Sequence, residues 1–388
     1  MQTLDADHGR GPLGAEEQRF LLSVLDVHAP VRAPEGALDW AAIMRVASEC
    51  KVLPLLADRA LAGCEERLEP AVADRLRESL HETAVYNTRL RGELSRAVSV
   101  LSSAAVDHVV LKGAVLMHSH YPRPVMRHAV DFDLVIDPER FHTGLDALRA
   151  AGFADAEPAP AMGPDGEALA ASPRTVAHAC APLRGPSGVN VDLHHRVPAA
   201  GFERGGFRGW HARARSVEIS GVPVRMCDPQ DLAVHLCEHF ALQNYGDPQD
   251  APRLLADLRA LFPECPAWEQ LSDGPARQRV AVAVARRLFD AAFGPEPSRD
   301  PMAGLLRRVA TGDPSVRVPL AQISNLRGHA RRIYLDLLHR PGYALRTWFP
   351  TRVYLGQRYG VDPSSARIYP LYLTRLMRAA FKPLWPKR

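Results

Sequence analysis

Residues 130–136 read VDFDLVI. So dense an apolar run, rich in β-branched and aromatic residues, argues for a buried strand. Yet two like charges, Asp131 and Asp133, stand inside it. Side chains alternate along a strand, so Val130, Phe132 and Leu134 share one face and both acids the other, with their carboxylates about 7 Å apart along the chain. Two ionised carboxylates facing one space repel. The strand is tolerated only where solvent, a basic group or a cation lies on the acid face, and that restricts the fold to a sheet with one apolar and one polar face.

The same grammar recurs in VNVDLHH, 189–195. Val189, Val191 and Leu193 form one face; Asn190, Asp192 and His194 form the other. Asp192 is thus a third acid on the polar side of an apolar strand. Upstream, HVVLKG (108–113) reads as a strand that stops at Lys112-Gly113, and AVLMHSHY as a short helix after it. A strand that turns into a helix at glycine offers backbone N–H groups to an anion, and Lys112 adds positive charge. Carboxylates beside a phosphate-binding turn suit Mg²⁺ or Mn²⁺, which take oxygen ligands from acids and substrate phosphates together. Taken singly, a D-x-D strand more often marks a solvated sheet face; the order of the three segments is what points to a metal–nucleotide site.

The flanks have a different period. Residues 15–106 carry apolar residues at helical spacing, and 71–91 contain neither Gly nor Pro, so one long helix is expected, with Val72, Leu76, Leu80, Ala84, Leu90, Leu94 and Val98 as its stripe. A helix is expected after Pro138 to about Ala151, and strands at TVAHACAPL, SVEIS and VPVRMCD, the last two joined as a hairpin at Gly221. Residues 154–173 read as a Pro/Ala/Gly-rich mobile loop, and the glycine-rich 201–210 as a flexible connection. Asp228-Pro229 reads as a cap and first helical residue, and further helices are expected at 250–262, 275–292, 315–338 and 366–381. The expectation is an α+β chain: a helical region at 1–105, a small mixed-sheet core at 106–226, and a helical region at 227–388.

Six scattered cysteines without a CxxC pair argue against a zinc ribbon or a disulfide scaffold and fit a reducing compartment. The polar N-terminus is no signal peptide and no apolar run reaches spanning length, so a cytoplasmic protein is expected. The net charge of +4 is sorted along the chain: residues 327–388 hold eleven Arg and two Lys against Asp336 and Asp362, a local +11 that leaves −7 on the rest. That tail interleaves aromatic residues with arginine. Docking on the acidic remainder is the favoured reading, peripheral contact with an acidic membrane surface the alternative, and nucleic acid is not expected.

The run LKG…Y…R…DFDLVI, with VDLHHRV after it and PQDLAVHLCEHF…LLADLRAL further on, resembles the family of uncharacterised nucleotidyltransferases, relatives of the polymerase-β superfamily. Some members sit in bacterial natural-product peptide clusters such as those for lasso peptides. KVLPLL at 51–56, YNTRLRGEL at 86–94 and FPTRVYLGQRYG near the C-terminus extend the likeness over most of the chain. The resemblance implies Asp131, Asp133 and Asp192 as metal ligands and catalytic acids, and Lys112, Gly113 and Arg127 on the nucleotide side. His194 and His239 would support the site from behind the ligands; His235 and His239, four apart, read first as structural residues. It further implies Mg²⁺ or Mn²⁺, an NTP such as ATP as substrate, and a peptide or small molecule as acceptor. The chain departs from the pattern in Ala114, where a serine is usual, in the 18-residue step from Gly113 to Asp131, and in His195, where tryptophan is frequent. The rival readings are a non-catalytic peptide- or protein-binding module and a kinase-like transfer of the γ-phosphoryl group.

Overall fold

The computed structural model describes residues 13–31, 36–156, 161–162, 168–170, 180–195, 206–244, 246–294, 361–362 and 364–381, with single positions at 349, 352, 355 and 359. The expected helix at 315–338, the start of the TVAHACAPL strand and most of the basic tail lie outside them. The chain forms two compact units. One comprises Met1–Gly92, Lys112–Val130 and Asp228–Val318; the other comprises Glu93–Leu111, Asp131–Cys227 and Pro319–Arg388.

The first unit is helical. In chain order it holds α1 (Ala15–Leu25), α2 (Trp40–Glu49), α3 (Leu53–Cys64) and most of α4 (Pro70–Ser103), which runs on into the second unit. It then holds α5 (Gly113–Ser119), and after the sheet the chain returns to it. The stripe of α4 corrects the sequence reading. Ala84 is exposed, and the buried line passes instead through Leu76, Thr83, Asn87, Leu90 and Leu94. Helical periodicity carries the stripe through two polar residues because both are hydrogen-bonded. Thr83 Oγ1 donates to the Ser79 carbonyl, and Asn87 Nδ2 donates to the carbonyls of Pro124 and Arg127 at 3.0 and 3.1 Å.

The second unit is a mixed α+β body around a seven-stranded sheet of order β3-β6-β7-β2-β1-β9-β8. Its strands are β1 (His108–Leu111), β2 (Asp131–Ile136), β3 (Ala154–Asp155), β6 (Cys180–Arg184), β7 (Asn190–His194), β8 (Arg215–Ile219) and β9 (Val222–Met226). β4 (Ala161–Met162) and β5 (Ala168–Ala170) pair separately. Thus the stretch read as one loop at 154–173 contains three short strands. Helix α6 (Phe141–Ala150) packs on the apolar side of β2: a side chain at Gly144 would meet Ile136 Cδ1 at 2.8 Å. The β8–β9 hairpin turns at Ser220-Gly221, both at positive φ, as a two-residue turn of the expected type requires.

Two further corrections concern this unit. Val130 does not share the face of Phe132 and Leu134. Strand pairing begins at Asp131, and Val130 lies before it, 54% exposed. The glycine-rich stretch at 201–210 leads into a helix, α7 (Gly206–Arg213), held by Phe207 and Trp210, which are three apart and both buried.

The remaining helices of the first unit are α8 (Pro229–Glu238), α9 (Ala251–Leu261), α10 (Trp268–Leu271) and α11 (Ala276–Phe293). Asp228 caps α8 as expected, its Oδ1 accepting from Gln230 N at 2.9 Å, with Pro229 next. α12 (Ile368–Phe381) closes the described chain. Among the described residues no helix is long and apolar enough to cross a membrane.

Candidate functional site

The polar face of the sheet is built by register. β2 and β7 run parallel, with Asp131 opposite Asn190, Asp133 opposite Asp192 and Val135 opposite His194. Adjacent strands lie about 4.8 Å apart, so Asp133 and Asp192 stand side by side. Their opposite faces, Phe132, Leu134, Val191 and Leu193, are fully buried, and that burial fixes the register, because a one-residue slip would turn the acids into the core. His194 lies one pleat further along β7 and reaches diagonally: its Nε2 is 3.1 Å from Asp133 Oδ1. Asp133 and His194 are each only 5% exposed, and Asp192 is half-buried.

One ligand atom from each of Asp133, Asp192 and His194 lies within 4.8 Å of the others, the one such group among the described residues. A cation with bonds of about 2.0–2.6 Å can draw donors at that spacing together. The donor set fits as well. Two carboxylate oxygens and an imidazole nitrogen are donors of the kind that a divalent cation takes. Asp131, half-buried at the start of β2, is one pleat from Asp133 and outside this group. His194, expected behind the ligands, is instead among the converging donors.

His195 faces the other way. Its ring meets Phe141 of α6 edge-on, centroids 5.3 Å apart, so it still makes an aromatic contact on the apolar face. At the far end of the same hairpin, buried Glu93 of α4 accepts from Ser187 N at 2.8 Å, which anchors the turn between β6 and β7.

In the helical unit, Lys112 caps α5 with φ 56° and ψ −136°. Positive φ in a residue with a side chain is strained by about 1–3 kcal/mol and is retained where the surroundings impose it. Ala114, in the serine position, is fully buried. Gly113 has a clear steric reason: a Cβ there would stand 2.9 Å from Arg127 Nη1. The guanidinium that occupies this place is clamped by Asp257 of α9. Nε donates to Oδ1 at 2.8 Å and Nη2 to Oδ2 at 2.9 Å, while the Tyr121 hydroxyl donates to Oδ1 at 2.7 Å. Arg127 is 7% and Asp257 2% exposed. Burial, with the Asp257 carboxylate beside it, holds the Tyr121 hydroxyl well above its usual pKa. Burial, with Arg127 and Arg253, pushes the His128 imidazole down.

Sequence reasoning did not assign this network, nor the residues that hold its backbone. Asn87 donates to the carbonyl of Pro124, the first residue of the Pro124–Met126 turn, and to that of Arg127 just after it, and the Tyr86 hydroxyl donates to the Val130 carbonyl at 2.6 Å, at the peptide that leads into Asp131. The one signal was a polar residue, Asn87, at a stripe position of α4. His235 is buried on α8 and its ring lies 6.2 Å from that of His239, where the helix loosens into a π turn, His239–Gln243. Neither joins a metal-capable group among the described residues.

A family model described as uncharacterised nucleotidyltransferase matches residues 36–292. No curated protein matches the chain. Among solved structures, the crystal structure of an antigenic nucleotidyltransferase-like protein from Paracoccidioides brasiliensis is 16% identical, covering 56% of this chain and 92% of that one with a TM-score of 0.34. A likeness that loose carries no argument about function.

Proposed function

Since the chain belongs to the family of uncharacterised nucleotidyltransferases, we propose that it moves a nucleotidyl group from an NTP to a hydroxyl, or another nucleophile, of a peptide or small molecule. The observation that carries this reading is the convergence of Asp133, Asp192 and His194 on one face of paired strands. Asp133 and Asp192 hold a divalent cation, Mg²⁺ or Mn²⁺, with Asp131 at the strand entrance as the further acid. When bound, that cation supplies positive charge to the phosphates and makes an acceptor hydroxyl more acidic.

The chain's own groups do the rest. The acceptor oxygen bonds to the α-phosphorus, the bond from that phosphorus to the α–β bridging oxygen breaks, and pyrophosphate leaves. The hydroxyl proton passes to a carboxylate, and Asp192, less buried than Asp133, is the acid assigned to take it. Lys112 is the phosphate-side cation that the motif resemblance suggests. Gly113 belongs to the same turn, with Arg127 as its support. A natural-product peptide is the acceptor class that the motif resemblance suggests.

The test incubates the protein and a pool of candidate acceptors with α-labelled and γ-labelled ATP in parallel. Label from α-ATP with release of pyrophosphate is the expected result. Label from γ-ATP alone makes the protein a kinase. No label from ATP, or from the other three NTPs in the same format, with Mg²⁺ or Mn²⁺ present favours a binding module. Asp192→Asn is expected to lose turnover more than NTP binding, and Asp133→Asn to lose both.

A further inference from the structure

Resting on the metal reading above, we infer that His194 is itself a ligand, and that this makes the site selective for a first-row transition dication, with Mn²⁺ as its working probe, over Mg²⁺. Three observations carry the inference. The imidazole Nε2 is 3.1 Å from Asp133 Oδ1. An imidazole that only oriented Asp133 from behind would not need to converge with Asp192 as well, yet one donor atom of each of the three lies within 4.8 Å of the others. His194 and Asp192 project from the same face of β7, two residues apart, so one strand delivers both a nitrogen and an oxygen donor to Asp133.

The chemistry then decides the ion. Mg²⁺ is hard, demands near-octahedral oxygen ligation and sheds water reluctantly. Imidazole is a borderline donor, whose affinity for divalent ions rises across the first transition row from Mn²⁺. Replacing one oxygen of a carboxylate set by a ring nitrogen lowers the hold on Mg²⁺ and keeps or raises it for the transition ions. A buried nitrogen, on a residue 5% exposed, also displaces a water that Mg²⁺ would otherwise retain.

The experiment uses the full chain with metal alone. Mn²⁺ binding is titrated by electron paramagnetic resonance, Mg²⁺ is measured by competition against it, and the bound Mn²⁺ signal is examined for coupling to a ¹⁴N nucleus. The variant His194→Asp returns the site to oxygen donors and keeps a ligand in place; His194→Gln removes the ring, and a melting curve on each reports folding. Wild type is expected to prefer Mn²⁺ strongly and to show nitrogen coupling. His194→Asp is expected to lose that coupling and to reduce the Mn²⁺-to-Mg²⁺ preference by at least about 10-fold, the lower end of what changes to groups just outside the ligands already cost. If a folded His194→Asp keeps the wild-type preference, or if bound Mn²⁺ shows no nitrogen coupling in wild type, His194 is not a ligand and the inference falls. Asp133→Asn separates the two levels. Metal binding abolished by Asp133→Asn, with the preference indifferent to residue 194, overturns this inference alone. No metal binding in any form overturns the metal reading with it.

Discussion

Two buried charged clusters in this chain contrast sharply. Arg127, Asp257 and Tyr121 form a fork-on-fork ion pair capped by a hydroxyl, one positive charge against one negative. Asp133, Asp192 and His194 set two carboxylates against one imidazole. The first is balanced within itself and fastens the backbone around it. The second is held by strand register, with the two carboxylates side by side and the imidazole diagonal to them. The first kind serves structure; the second is the cluster proposed above to hold an ion.

The largest effect that would sharpen this contrast is in stability. Arg127→Met leaves Asp257 charged and buried, and is expected to cost about 3–5 kcal/mol in denaturant unfolding. Arg127→Met with Asp257→Leu should recover most of that loss, since a pair replaced by apolar groups is often neutral. Asp133→Asn should do the opposite: remove metal binding while leaving the melting temperature unchanged or raised, because it relieves repulsion. Equal destabilisation by the two single substitutions would erase the distinction.

Next in size is the frame ahead of the acids. Asn87→Leu strips two carbonyls of their donor and is expected to lower stability by about 1–3 kcal/mol. Tyr86→Phe, which removes one bond to a partly exposed carbonyl, should cost about 0.5–1.5 kcal/mol. Lys112→Gly should move the other way. It relaxes the residue at φ 56° and is expected to gain about 1 kcal/mol, while NTP affinity falls. A stabilised variant with unchanged NTP affinity would remove Lys112 from the phosphate side.

A last effect is a tilt with pH. Burial, with Arg91 nearby, holds His118 at a pKa of about 4 against an ordinary 6.5. In the folded chain the ring is neutral through that interval, whereas the unfolded chain takes up a proton. Stability is therefore full above about pH 6.5, falls as the pH drops toward 4, and levels off below. His118→Gln should flatten that limb in urea titrations; an unchanged slope would assign it to other groups.

How much the sequence revealed depends on what each pattern encodes. Alternation along 130–136 and 189–195 located both acid faces, since period two depends on neighbours alone. It placed Val130 wrongly because a strand's start depends on its pairing partner, and Asn190 lies opposite Asp131. Helix α7 was missed because glycine density hid two aromatic residues three apart. The stripe of α4 was misplaced because Thr83 and Asn87 look like surface residues until their acceptors are known. The partners Arg127 and Asp257 are 130 residues apart, and no local pattern announces such a pair. His194 was legible as polar-facing, but its diagonal reach to Asp133 belongs to the sheet.

The parallel pairing of β2 and β7 also sets an order of events. The His194–Asp133 contact spans 61 residues, and parallel strands cannot close through a tight turn. A growing chain thus displays its first acids long before it has the rest of the set, and the entropy of loop closure must be overcome before any of them converge. The proposed ion site would thus be complete only with the finished sheet, and an ion held there would favour the completed chain over every partly folded one.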